Sequence, residues 1–247
     1  MEKLWKATIT AGIALGVVCF AVMMIYSLNK SVVITEEQDQ KGDANLKPFV
    51  ETVLKEKDDY DFVVLVNAAH GGDNKGNVVN ELQEKKITLA VSKELEKLSI
   101  KEEVGIFLIR QEDTDISNEN RAGVIEKIKP DLVVDLHVNA DATNERTQGT
   151  SVVYNENFYR PGVTNAELAD IMERCLVTEI QGKALGIFGD SQNKYPLLSM
   201  VEVPAVSVEM GYLTNKQEAG LLRKGNYQER IALGIFEGIQ EIREKLR

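Results

Sequence analysis

Residues 61–72 read DFVVLVNAAHGG and residues 131–141 read DLVVDLHVNAD. In each, a run of Val, Leu and Phe is apolar at consecutive rather than alternate positions, the composition of a strand buried on both faces of a parallel sheet. Strand composition recurs at Val104–Ile109, Ser151–Tyr154 and Ala205–Val208. Between these runs the apolar period changes from two to about 3.6. Lys85–Leu98 sets Ile87, Val91, Leu95 and Leu98 on one helical face, and Asn118–Ile128 does the same with Ala122, Ile125 and Ile128. Thr164-x-x-Glu167 is a capping box, opening a helix that carries Leu168, Ile171, Met172, Cys175 and Leu176. The C-terminal stretch repeats Ile231, Ile235, Ile239, Ile242 and Leu246. Strands alternating with helices imply βαβ units, hence an α/β fold with a mainly parallel twisted sheet and helices on both faces.

Open parallel sheets bind ligands beyond the carboxyl ends of their strands. His70 and the pair Gly71-Gly72 follow FVVLV, Arg110 follows VGIFLI, His137 and Asn139 follow LVVDL, and Glu209 follows AVSV. The chain has just 2 histidines, and both fall at this edge. Two imidazoles and one carboxylate are a common protein ligand set for catalytic zinc. Asp73, Glu81 and Glu84 are all placed to supply the third ligand, Glu84 from the first turn of a helix. Hydrolysis also needs a carboxylate off the metal to take and return a proton, and Glu209 suits either role. The phosphate-binding patterns GxxxxGK[ST] and GxGxxG are absent.

Composition narrows the classes. The net charge of −10 over 247 residues comes from 39 acidic against 29 basic side chains. With no Lys/Arg cluster, phosphate-backbone binding is excluded, so no nucleic acid is expected as a partner. The 2 cysteines, Cys19 and Cys175, exclude a disulfide framework and a Cys-rich zinc site.

Ala7–Leu28 carries no charge and is rich in Ala, Ile, Leu, Val and Met. Twenty-two helical residues at about 1.5 Å each make roughly 33 Å, enough to cross a bilayer core. The run is longer than a signal peptide's apolar region and ends without a small-residue cleavage site. One N-terminal transmembrane helix is therefore expected over residues 1–28. Lys3 and Lys6 precede the run and Glu36, Glu37 and Asp39 follow it, so the bulk of the chain is expected outside the cytoplasmic membrane. Lys3, Lys6 and Glu2 give the anchor +1, which leaves −11 on the remainder. Residues 29–60 are expected to be a linker ending in a short amphipathic helix at Leu46–Lys57, and 61–247 the functional domain.

Five ordered blocks carry a resemblance: VVLVNAAHGG (63–72), ELQEKKITLAV (81–91), FLIRQEDTD (107–115), DLVVDLHVNAD (131–141) and PAVSVEMGYLTN (204–215). With them the chain resembles the zinc-dependent N-acetylmuramoyl-L-alanine amidases of the type 3 family. The resemblance implies zinc held by His70, Glu84 and His137, with Glu209 as general base and then proton donor. It implies Arg110, Arg121 and Asn139 on the substrate-binding rim or its support. The implied reaction is hydrolysis of the amide between N-acetylmuramic acid and L-alanine of cell-wall peptidoglycan. The partners implied are peptidoglycan and, through the anchor, a bacterial cytoplasmic membrane; a protein activator stays open.

The chain departs from the family at Asn67-Ala68-Ala69, where an Asp-Pro-Gly or Asp-Ala-Gly is usual. Loss of that aspartate implies a weaker ligand shell. Asn155–Val163 is too short for the blocking helix of some regulated members. The alternatives are a non-catalytic peptidoglycan-binding or scaffold protein of the same fold and a zinc carboxypeptidase acting on stem peptides.

Overall fold

The computed structural model describes residues 46–101, 103–156, 159–160 and 162–247. These residues fall within one compact unit, Asn45–Arg247. Helix α1 (residues 46–56) runs into a 3-10 turn at Lys57–Asp59 and strand β1 (Phe62–Ala68). The two-residue strands β2 (Val78–Val79) and β3 (Leu82–Gln83) form a small ladder before α2 (Glu84–Glu96). Then come β4 (Val104–Leu108), α3 (Asn118–Ile128), β5 (Leu132–Asn139) and β6 (Thr150–Tyr154). A second short ladder, β7 (Tyr159–Arg160) with β8 (Val163–Thr164), leads into α4 (Asn165–Ile180). The chain ends with β9 (Ala184–Gly189), α5 (Pro196–Met200), β10 (Ala205–Tyr212), α6 (Lys216–Leu222) and α7 (Gly225–Leu246).

Six strands make the main sheet, in the order β4-β1-β5-β10-β6-β9. Neighbours are parallel except β10 and β6, which run antiparallel. All seven residues of β1 are buried, as a central strand covered on both faces requires. Along β1, β5 and β10 the even-numbered side chains, such as Val64, Val134 and Val206, pack in the core with Ile87 of α2, Leu176 of α4 and Ile235 of α7. Leu65, Val133 and Ala205 point the other way, into the core with Val53, Ile125 of α3 and Leu198 of α5. Helices thus cover both faces.

The capping signal acts as expected. Thr164 and Glu167 make the reciprocal capping box of α4; at the start of α3 the Ser117 hydroxyl, a cap not among the expectations, accepts from the Asn120 N–H. Lys129 ends α3 in the left-handed conformation.

Three features differ from the sequence expectation. Leu46, Val50 and Val53 of α1 are buried, so the compact unit begins upstream of residue 61. Strand β9 was not expected: its apolar residues Ala184, Leu185, Ile187 and Phe188 are interrupted by Gly186 and lie on a half-exposed edge strand. Strands β5 and β10 extend past their apolar runs to Asn139 and Tyr212. His137 and Glu209 therefore sit inside strands rather than after them. The expected anchor lies outside the described residues, and among those described no helix is long and apolar enough to cross a membrane.

Candidate metal centre and active site

Beyond Leu65, Val133 and Ala205 the same face of the sheet turns polar. Asn67 of β1 is register partner to Asp135 of β5, and Asp135 to Ser207 of β10. Two residues further on, His137 pairs with Glu209. Period-two alternation puts all five side chains on one face. All but His137 are buried.

The first histidine follows β1 in a sharply turned loop. His70 itself has φ 63°, and Gly71 has φ 138°. A Cβ at Gly71 would lie 2.0 Å from the Thr114 carbonyl oxygen, so glycine alone fits there. Two buried arginines hold this loop from behind. Arg110 donates to the carbonyls of Ala68 (2.8 Å), Ala69 (3.1 Å) and Lys85 (2.8 Å). Arg121 donates to the carbonyls of Ile116 (2.8 Å), Ala68 (3.1 Å) and His70 (2.8 Å), and to the Asn67 side chain. Of the two places expected for these arginines, the rim or its support, both take the supporting one under the loop, where their donors meet main-chain oxygens, and Arg121 also borders the cleft.

Glu84 opens α2 and is 1% exposed. Its Oε2 accepts from the Asn77 N–H (2.8 Å) and its Oε1 from the Val138 N–H (3.0 Å). His70 Nε2 lies 3.2 Å from Oε2, and His137 Nδ1 lies 3.0 Å from Oε1. Burial alone would raise the pKa of this carboxyl; hydrogen bonds from His137 and His70 outweigh it and hold Glu84 well below the carboxylate range. Gly76 permits this approach: a Cβ there would come within 2.5 Å of both Glu84 Oε2 and the His70 ring.

The far nitrogen of each imidazole is also engaged. His70 Nδ1 faces Asn74 Oδ1 at 2.9 Å, and His137 Nε2 faces Asp135 Oδ2 at 3.1 Å. Burial opposes a charge on His137, yet the carboxylates of Asp135 and Glu84 raise its pKa well above the usual value. Asp135 accepts additionally from Asn67 Nδ2 (2.7 Å) and the Ser207 hydroxyl (2.6 Å). An aspartate at position 67 would set a second carboxylate against Asp135. Asn67 is the residue that fits, and the negative charge stands one strand over, directly behind His137.

One ligand atom from each of His70, Glu84 and His137 can be chosen so that all lie within 4.8 Å of one another. Two imidazoles and a carboxylate, each fixed by a second hydrogen bond, suit zinc in donor type and number. Asp73 and Glu81 do not join the group.

Glu209 stands beside it, 5% exposed. The Tyr195 hydroxyl donates to its Oε1 at 2.6 Å, while Oε2 is buried without a hydrogen-bond partner among the described residues. Burial pushes its pKa up to about 7 against the pull of His137 and Tyr195. The Tyr195 ring packs edge-on against His137, centroids 5.3 Å apart. A cleft of about 140 Å³ opens here, with His70, His137, Asn74, Asn118, Lys194 and Tyr195 in its lining. Asn139 ends β5; its Nδ2 lies 3.4 Å from the Tyr212 hydroxyl, apart from the cleft-lining set.

Asp135 and Tyr195 were not among the site residues expected. An aspartate inside LVVDL was a usable signal, since a charge in a buried strand needs a partner. Tyr195 lies on a loop whose sequence carries none.

At the carboxyl end of a parallel sheet, His70, Glu84 and His137 form a group that could hold a metal ion, with a buried carboxylate beside it. Residues 64–241 match the N-acetylmuramoyl-L-alanine amidase family (Amidase_3), and the chain belongs to that family of amide-bond hydrolases. It is 28% identical over 176 residues to the uncharacterized protein YqiI of Bacillus subtilis, covering 71% of this chain and 82% of YqiI. It is also 28% identical to the probable cell wall amidase LytH of Staphylococcus aureus over 72% of this chain, a match spanning 57% of LytH. Among solved structures, an N-acetylmuramoyl-L-alanine amidase from Clostridium difficile 630 superposes with a TM-score of 0.67 at 27% identity. That superposition covers 73% of this chain and 95% of the other.

Proposed function

We propose that this protein is a zinc-dependent amidase that hydrolyses the bond between the lactyl group of N-acetylmuramic acid and L-alanine in peptidoglycan. The observation that carries the reading is the convergence of His70, Glu84 and His137 on one point beside the buried Glu209. His70, Glu84 and His137 would hold the metal. When bound, zinc acidifies a water molecule and polarises the carbonyl to be cleaved.

The chain's own groups then have distinct tasks. Asp135 and Asn74 orient the two imidazoles through their far nitrogens. Glu84 carries a full negative charge, a requirement for a ligand. Glu209, titrating near neutrality, takes a proton as the amide is attacked and returns it to the departing L-alanine amine. Arg110 and Arg121 act at one remove, pinning the loop that presents His70. Asn139 takes no part in holding the metal; a substrate contact at the end of β5 is its proposed role.

The proposal extends to location. The uncharged run Ala7–Leu28, with basic residues before it and acidic residues after, supports a single-pass tether that leaves the catalytic unit outside the cytoplasmic membrane. The deciding experiment is mass spectrometry of purified peptidoglycan digested by the full chain with zinc added. Free stem peptides beginning at L-alanine, together with unsubstituted glycan, establish the activity and the bond cut. Shortened stem peptides would assign a carboxypeptidase, and unaltered material from a zinc-loaded chain would assign a binding role.

A further inference from the structure

Tyr195 belongs to no ligand pair, and the reaction as described does not use it. It is the N-cap residue of α5, where Pro196 begins the helix. Its N–H and that of Lys194 both donate to the Asp190 carboxylate, at 2.9 and 2.8 Å, and the Asp190 N–H donates to the Tyr154 carbonyl at 2.9 Å. The loop that delivers the tyrosine is therefore tied to the end of β6. Its ring rests on His137 and its hydroxyl on Glu209 Oε1. The other oxygen of Glu209 is buried and has no hydrogen-bond partner among the described residues. The two oxygen positions of this carboxylate are not equivalent, because one accepts from the tyrosine hydroxyl at 2.6 Å and the other meets no hydrogen-bond partner among the described residues. Turning the group over only exchanges which atom fills each position, and Oε1 and Oε2 here name the positions.

We infer that Tyr195 is a positioning residue for the hydrolysis: by holding Oε1 it leaves Oε2 as the single oxygen of Glu209 that exchanges the proton. The proton moves to Oε2 as the amide is attacked and leaves from Oε2 to the amine, while Oε1 keeps the tyrosine bond throughout. The inference rests on the proposed role of Glu209 and adds which oxygen acts and what selects it.

Steady-state kinetics of the zinc-loaded full chain on soluble muropeptides test it. Tyr195→Phe keeps the ring on His137 and removes only the hydroxyl. The expected result is a kcat lower by about tenfold or more, with KM and zinc content unchanged and the chain still folded at the assay temperature. The second measurement is a double-mutant cycle. Because Tyr195 acts through Glu209, adding Tyr195→Phe to Glu209→Gln should cost nothing further. Full kcat in Tyr195→Phe, a change confined to KM, a loss that only tracks the fraction unfolded at the assay temperature, or losses that multiply in the double variant would each overturn the inference. A wild-type chain without turnover would overturn both it and the amidase reading, and so is distinguishable from those results.

Discussion

Glu209 and His137 are register partners on adjacent parallel strands, one the proposed proton carrier and the other a proposed metal ligand. The ladder hydrogen bonds, not a flexible loop, set their separation. A group placed on a rigid strand beside the metal position is preorganised for proton transfer. Replacing Glu209 by Gln keeps the shape and the Tyr195 contact but removes the base. The expected result is a loss of turnover of roughly 100-fold to 10,000-fold with zinc content unchanged, measured by muropeptide release and metal analysis.

Asp135 carries the charge that an aspartate at position 67 would otherwise supply. Asp135→Asn should weaken zinc binding by roughly 10-fold to 100-fold, read by competition with a chelator. Asn67→Asp should also weaken binding or folding, since it sets two carboxylates together where the amide now donates at 2.7 Å. Unchanged zinc affinity in both variants would remove Asp135 from the support of His137.

Without metal, both nitrogens of His137 face carboxylates and its pKa stands well above the usual value. A ligand nitrogen must shed its proton. Zinc uptake near pH 7 should therefore release protons, and affinity should rise by about tenfold per pH unit for each proton displaced. Calorimetry in buffers of different ionisation enthalpy counts them. A pH-independent affinity between pH 6 and pH 8 would contradict the protonated state of His137.

Gly76 lies at φ 63° with no space for a side chain between Glu84 and His70. Gly76→Ala should lower zinc affinity and melting temperature together, because the methyl displaces Glu84 Oε2 or the His70 ring. Gly123→Ala is the control: nothing lies within 4 Å of its Cβ position, and a small gain in α3 stability is expected there.

The metal-free chain should lose stability as pH rises through the range set by Glu209. Its folded pKa, about 7, lies above the ordinary value of 4.5, so the folded state binds the proton more tightly than the unfolded one. Stability is fully present below pH 4.5 and falls as pH rises to 7, by roughly 3 kcal/mol at most from this group. Glu209→Gln should flatten that dependence, as chemical denaturation of the metal-free protein across the range will report.

Much of this was legible along the chain. FVVLV and LVVDL are legible as buried strands because consecutive apolar residues need cover on both faces. The capping box at Thr164 and Glu167 marks a helix start in the sequence and opens α4 in the structure. His70, Glu84 and His137 were placed together through a family likeness, whereas spacing alone left Asp73, Glu81 and Glu84 level. Strand β9 and the short helices α5 and α6 are not legible, since Gly186 interrupts the apolar residues of β9 and brief helices leave no apolar period.

By itself, the sequence determined the local elements and the order in which they carry His70, Arg110, His137 and Glu209, because caps and hydrophobic periods act between near neighbours. Register was decided only by the tertiary structure. Pairing of β1, β5 and β10 aligned Asn67, Asp135 and Ser207, set His137 beside Glu209, and brought Glu84 across 53 residues to His137. It also turned Arg110 and Arg121 inward and delivered Tyr195 to Glu209. These relationships depend on contacts between residues far apart in the chain, and only the packed sheet supplies them.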